Sequence, residues 1–246
     1  MTHTTYWTAR KLAQRLAMIE PLVYRQAVTL APFRYQELAL PEDAPPVGLD
    51  VDDSQWDKVY PETYWAGWLT NFILRNDIQI PSDWDTSIPV AIRFRLGVSN
   101  DFSHPEALTY IDGKAYAACD RHHYEILLPN SLRDGQSHLI ALHGWTGLGG
   151  WGDRQVNTRL FANASQLVQL DQPTRDFIAV ARVTLGMAAN IEENQPQHAR
   201  LLTLLDEAFK LLDTREPLGE AFYVSVPEAT RYLREGLTTI GEPLDV

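Results

Sequence analysis

Four histidines lie near one another in the middle of the sequence, and histidine side chains can bind a metal ion or transfer protons. His122 and His123 are adjacent, and His138 and His143 lie five residues apart. Successive side chains of an extended strand point to opposite faces, so neither pair can easily share one metal ion. We therefore expect structural roles for these histidines and predict no metal ligand.

The sequence offers little support for nucleophilic or acid–base catalysis. The sequence contains no Gly-x-Ser-x-Gly elbow, and Cys119, its single cysteine, follows two alanines instead of a motif typical of cysteine enzymes. The acidic pair Asp52–Asp53 lies in a proline-rich stretch, where solvation explains it. A glycosidase needs two acids converging on one cleft, and sequence alone assigns no such pair. The sequence therefore predicts no catalytic residue.

The glycine-rich run from Gly147 to Gly152 formally matches a dinucleotide-binding fingerprint, and Asp171 follows about 20 residues later, as that motif requires. The fingerprint also needs a helix that opens at the loop, whereas the residues after the run are polar and lack an apolar stripe. Trp145 and Trp151 are bulky at the point where a backbone would approach a pyrophosphate. We therefore predict a loop and no cofactor-binding residue.

Aromatic residues are dense across the same region, and two interpretations remain open. Most of the rings can fill a core or an interface, because each buries a large area. Alternatively, Trp145 or Trp151 stacks on a sugar while polar neighbours bind its hydroxyl groups. The candidate sugar-contacting residues are Asp120, Arg121, His122, His143, Trp145 and Trp151.

Composition excludes several classes of partner. The 246 residues carry a formal net charge of −11, which disfavours nucleic acids and anionic membrane surfaces, since both require a basic footprint. A lone cysteine excludes an internal disulfide and a cysteine-rich zinc site. The first residues lack the pattern of a secretion signal, and no apolar run is long enough for a membrane span. We expect a cytoplasmic protein.

Periodicity divides the chain into a helical start, a β-rich middle and a helical tail. Helical spacing covers Thr8–Glu20, before Pro21, and residues 39–53 read as a proline-rich linker. Strand patterns then cover residues 88–98, 124–128 and 138–145, and Asp112-Gly113 predicts a type I′ hairpin. Capping patterns predict helix starts at Asn194–Gln197 and Ser225–Glu228. Apolar stripes predict one helix over residues 175–189, before the first of these starts, and another over 201–212, after it.

Several segments together resemble one enzyme family. They are Leu16-x-x-Ile-Glu-Pro-Leu22 with Tyr24, the hairpin Leu108–Gly113, the run that begins Asp120-Arg-His-His-Tyr-Glu-Ile, the strand end His143-Gly-Trp-Thr-Gly, and Phe222-Tyr-Val-Ser-Val-Pro-Glu-Ala. In this order they resemble the region before the catalytic domain of cytosolic class II α-mannosidases, glycoside hydrolase family 38. The resemblance covers nearly the whole chain.

The resemblance implies an accessory region rather than a catalytic one. Family members continue into a catalytic domain with a His-x-Asp zinc pair, and residues 241–246 end before any such motif. Zinc and the nucleophilic aspartate are therefore expected outside this chain, and no cofactor is expected in it. The implied fold is an antiparallel β-sandwich of jelly-roll or galactose-binding-like type, between a short helix and a helical segment. We predict an N-terminal helix and linker over 1–53, a sandwich over 54–170 and a helical linker over 171–246.

Two functions follow as hypotheses. The first is an accessory N-terminal domain of an α-mannosidase-like glycoside hydrolase, which supports the catalytic domain of the same polypeptide, homo-oligomer assembly and sugar binding. The alternative is a stand-alone carbohydrate-binding module for mannose-containing oligosaccharides. A surface that serves only as a protein interface is a third interpretation.

Overall fold

The computed structural model describes residues 5–40, 44–67, 69–95, 97, 105–147 and 159–241. The chain forms two compact units. One comprises Met1–Arg25 and Leu170–Val246, and the other comprises Gln26–Gln169. The first helix thus belongs with the C-terminal helices, and residues 26–53 belong with the sheets rather than with an N-terminal segment.

The sheet unit is antiparallel. Its strands are β1 Tyr24–Thr29, β2 Phe33–Leu38, β3 Asp57–Val59, β4 Thr63–Trp65, β5 Asn71–Ile78, β6 Val90–Arg93, β7 Glu106–Ile111, β8 Lys114–Asp120, β9 Glu125–Leu127, β10 His138–Trp145, β11 Leu160–Ala162 and β12 Gln166–Leu170. One sheet has six strands in the order β3-β2-β5-β10-β7-β8, a second has the order β1-β12-β6-β9, and β11 pairs with β4.

Both large sheets contribute to one apolar core. Leu74 and Leu142 from the six-stranded sheet and Ile92 and Leu167 from the four-stranded sheet are almost fully buried in the same cluster. Two sheets that share a core form a sandwich, so the predicted mainly antiparallel fold between helical segments is confirmed. Two tryptophans are also buried in this core, since Trp65 and Trp84 are only 3 % and 4 % exposed.

The hairpin prediction is confirmed at its turn. Asp112 has φ 48° and Gly113 has φ 80°, the left-handed values that a type I′ turn requires at both central positions. The strand predicted over 88–98 is shorter, since β6 covers only Val90–Arg93. No strand is predicted before residue 56, so β1 and β2 were not expected from the sequence.

Four helices form the other unit among the described residues. They are α1 Thr5–Ile19, α2 Gln172–Ala189, α3 Pro196–Leu211 and α4 Glu220–Gly241. Leu12, Phe177, Leu205 and Phe222 are completely buried in their shared core. Pro21 follows α1 in a short 3₁₀ turn, as predicted. None of the described helices is both long and apolar enough to cross a membrane.

The helix start predicted at Ser225–Glu228 was wrong, whereas the start predicted at Asn194–Gln197 was right in position. α4 begins at Glu220, so Ser225 and Pro227 lie inside the helix. The Ser225 hydroxyl donates to the Phe222 carbonyl at 2.6 Å, a bond within a helical turn rather than an N-cap. At α3 the N-cap is Gln195, with no side-chain capping bond. The side-chain cap that the sequence analysis missed is Asp171, which accepts the Thr174 amide at 2.9 Å.

Candidate functional site

An open cleft with a volume of about 650 Å³ lies on the six-stranded sheet. Four neighbouring strands each contribute one residue to a row that crosses the cleft. Trp145 of β10 pairs with Asn71 of β5 on one side and with Glu106 of β7 on the other, and Glu106 pairs with Asp120 of β8. Residues directly opposite on neighbouring strands point to the same face. One polar row with a single tryptophan therefore crosses the sheet.

This row lies on the face opposite the core. Leu142 and Phe72 face the core, and alternation along a strand turns His143 and Trp145 to the other face. His143 pairs with Leu108, which is 38 % exposed, and forms the next row of the cleft. Leu108 and Trp145 thus give the cleft apolar surface, and the neighbouring rows give it polar groups.

Gly144 allows the strands to approach closely beneath the cleft. A Cβ atom at this position would lie 2.4 Å from the Glu106 carbonyl oxygen and 2.6 Å from the Phe72 ring. Backbone cannot yield to such a contact as a flexible side chain can, so only glycine fits. The spacing of His143 and Trp145 against β7 depends on this close approach.

Asp120 ends β8 and organises the turn that follows. Its Oδ1 accepts the backbone amides of His122 and His123, each at 2.6 Å. Its Oδ2 lies 3.0 Å from the His123 Nδ1. These bonds lower the pKa of Asp120 to about 2, and the bond with the His123 side chain contributes most. Asp120 is therefore an ionised acceptor at neutral pH.

His143 is half-buried in the cleft, and burial lowers its pKa because a low-dielectric environment disfavours the charged imidazolium. The side chain is therefore uncharged at neutral pH. A neutral imidazole carries one donor and one acceptor nitrogen. That pair of groups suits a ligand with hydroxyls, which both donate and accept.

The cleft brings together Asp120, His143 and Trp145, three of the six residues predicted to contact sugar. Arg121 and His122 lie on the adjoining turn, where the Arg121 Nε donates to the His122 Nε2 at 3.0 Å. They do not line the cleft. Trp151 lies outside the described residues, as does the glycine-rich run after Gly147.

Sequence reasoning missed Asn71, Glu106 and His123 as cleft residues. The hairpin turn alone would pair Glu106 with Cys119. A bulge between Thr109 and Tyr110 shifts the register by one residue, so Glu106 pairs with Asp120 instead. A one-residue shift changes which face a side chain occupies. The turn was visible in the sequence, but no sequence signal located the bulge.

The cleft offers no recognisable metal centre. Among the described residues, no group of three or more histidine, cysteine, aspartate or glutamate side chains could hold a metal ion. Cys119 is buried, which raises the pKa of its thiol to about 11, so it is not a ready nucleophile.

No protein-family model matches the chain, and no curated protein matches it. Among solved structures, a β-glucuronidase from Bacteroides uniformis is 12 % identical with a TM-score of 0.41, covering 58 % of this chain and 18 % of its own. A β-glucuronidase from Ruminococcus gnavus in complex with D-glucuronic acid is 11 % identical with a TM-score of 0.39, covering 61 % and 30 %. The chain thus spans less than a third of the length of these glycoside hydrolases.

Proposed function

We propose that this chain is a non-catalytic accessory domain of a glycoside hydrolase and that it binds sugar in the cleft beside Trp145. The observation that carries the proposal is the composition of one row on the sheet. A half-buried tryptophan shares this row with an amide and two carboxylates, and a half-buried histidine lies in the next row. An aromatic ring can stack on a sugar face, and the polar groups can bind its hydroxyls.

The dimensions of the cleft support a small saccharide as the ligand. Its volume of about 650 Å³ falls within the usual range for small-molecule sites. The cleft is open, so a longer oligosaccharide can extend beyond it. We infer that one or two sugar units occupy it.

The resemblance in sequence makes the parent enzyme a zinc-dependent α-mannosidase, with zinc and the nucleophile in another part of the polypeptide. On this proposal the ligand is a mannose-containing oligosaccharide. The direct partner is the catalytic domain of the same cytoplasmic chain, and the complete enzyme is a homo-oligomer.

A stand-alone carbohydrate-binding module is the second candidate. It is favoured by the fact that every described residue of the cleft comes from within residues 71–145, in the sheet unit alone. Such a module would bind sugar with the same affinity whether or not a catalytic domain is attached. Comparing the affinities of this chain and of the parent enzyme tests that difference.

Calorimetric titration with methyl α-D-mannopyranoside and α-mannobiose tests the proposal. We expect saturable heat with the wild type and about tenfold weaker binding with Trp145→Ala, since stacking on an aromatic ring contributes on the order of 1 kcal/mol or more. Tyr60→Ala removes an exposed aromatic side chain outside the cleft and is expected to bind like the wild type.

Far-UV circular dichroism of both variants should match the wild type, so that loss of binding is not loss of fold. No heat with either mannoside would contradict the sugar-binding role. Turnover of an aryl α-mannoside by this chain would contradict the non-catalytic one.

A further inference from the structure

We propose that the cleft selects uncharged sugars, because the carboxylates of Asp120 and Glu106 repel sugars that carry a carboxylate or a phosphate. The inference rests on the proposed sugar-binding function and names the class of ligand. It assigns Asp120 and Glu106 as the residues that determine this specificity.

The first step is the placement of the two acids. Glu106 and Asp120 are directly opposite on neighbouring antiparallel strands and both line the cleft. Like charges in such a pair destabilise a sheet, so their placement brings no stability by itself. Together they give one wall of the cleft a negative charge.

The second step is the lack of a compensating cation. In the described part of the chain, no lysine or arginine lines the cleft. His143 is half-buried and uncharged at neutral pH, and His123 contacts Asp120 through its Nδ1. The nearby Arg121 lies on the turn and donates to His122. An anionic ligand would therefore find no bidentate arginine of the kind that usually binds carboxylates and phosphates.

The third step is what the same carboxylates offer to a neutral sugar. An ionised carboxylate only accepts hydrogen bonds, and sugar hydroxyls are donors. The Asn71 amide both donates and accepts, and Trp145 supplies apolar surface. The hydroxyls of a neutral saccharide can therefore donate to the carboxylates of the row, whereas the carboxylates repel an anion. The formal net charge of −11 on the chain adds to this repulsion.

A matched pair of ligands tests the inference. Methyl α-D-mannopyranoside and methyl α-D-mannopyranosiduronate differ only in a neutral hydroxymethyl group and a carboxylate at C6. At low ionic strength and pH 8, above the ordinary histidine pKa, we expect the uronate to bind about tenfold more weakly. Glu106→Gln should reduce that gap to about threefold, and added salt should reduce it in the wild type by screening.

Glu37→Gln is the matched control, because Glu37 is exposed on β2 of the same sheet and does not line the cleft. It should leave the gap unchanged. A uronate that binds as tightly as the neutral mannoside would overturn the charge selection and leave the sugar-binding function intact. A gap that persists unchanged in Glu106→Gln, in Asp120→Asn and at high salt would overturn the role of the carboxylates. Absence of binding by both ligands would overturn the proposed function itself.

Discussion

His138 bridges two carboxylates on neighbouring turns. Its Nδ1 lies 2.7 Å from Asp112 Oδ2, and its Nε2 lies 3.0 Å from Asp134 Oδ1. The hydrogen bond to Asp112 is the largest of the causes that raise the pKa of His138, and the bond to Asp134 and the charges of both carboxylates act in the same direction. The remaining Asp112 oxygen accepts the Leu139 amide at 2.9 Å. One imidazole thus connects the β7–β8 turn to the turn before β10.

This bridge makes stability depend on pH. Because the folded pKa of His138 is raised above the unfolded value, the added stability is fully present below the unfolded pKa and is lost as pH rises through the folded pKa. We expect His138→Gln to lower the free energy of unfolding by about 0.5 kcal/mol at pH 5.5, a figure that allows for solvent screening. The loss should be smaller at pH 8.5. Urea unfolding at both pH values measures it.

His122→Gln is the control, because His122 is exposed on the turn after β8 and forms neither carboxylate contact. It should change the free energy of unfolding only slightly, and by the same amount at both pH values. A loss in His138→Gln that stays constant between pH 5.5 and 8.5 would show that protonation of this imidazole does not stabilise the fold.

A buried arginine binds the segment between β2 and β3 to the sheet through hydrogen bonds. Arg75 on β5 is 2 % exposed. It donates to the carbonyl oxygens of Pro46 at 2.7 Å and Gly48 at 3.0 Å and to Asp53 Oδ2 at 2.6 Å. Arg34 on β2 lies 2.7 Å from the same Asp53 oxygen. Asp53 therefore bridges two guanidinium groups, and Arg34 also pairs with Asp77 at 2.8 Å.

Removing that carboxylate should be costly. We expect Asp53→Ala to lower the free energy of unfolding by about 3 kcal/mol, because a buried arginine loses its counter-charge. Asp52→Ala is the matched control, since Asp52 is exposed and its hydrogen bonds are local, with the amide and the side chain of Ser54. It should leave stability nearly unchanged. Guanidinium chloride unfolding of both variants makes the comparison, and equal losses would contradict the role of Asp53.

The same element shows what the sequence can and cannot predict. Asp52–Asp53 reads as a solvated acidic pair, and only the fold reveals that Asp53 contacts Arg34 and Arg75, with Arg75 22 residues later in the chain. The hairpin at Asp112-Gly113 and strand β10 were predictable, since a local turn and alternating side chains define them. β1 was not, because its exposed residues give no apolar periodicity. In the cleft, Trp145 and His143 followed from β10, but the pairing of Asp120 with Glu106 required the bulge.

At the scale of the whole molecule, both ends of the chain build the helical unit. Leu12 of α1 is completely buried in a core that also contains Leu205 of α3 and Phe222 of α4. Residues 26–169 separate these partners in sequence. The helical unit therefore forms only when segments far apart in the chain associate.

Leu12→Ala tests how much this association contributes. We expect the free energy of unfolding to fall by about 2–5 kcal/mol, because the substitution leaves a cavity in the core. Hydrogen exchange of the α3 and α4 amides should accelerate accordingly. Met18→Ala on the same helix is the control, since Met18 is 73 % exposed, and it should leave exchange unchanged. Unaltered exchange in Leu12→Ala would contradict the shared core.

The arrangement has a consequence for synthesis on the ribosome. The first helix emerges early, but Phe177, Leu205 and Phe222 follow only after residues 26–169 have been translated. At 5–20 residues per second that interval lasts roughly seven to thirty seconds. During this time the apolar side of the helix that carries Leu12 lacks its native neighbours, and at the end of the interval the sheet unit has its complete sequence. The sheet unit is therefore translated completely first, and the helices at the two ends of the chain can pack together only afterwards.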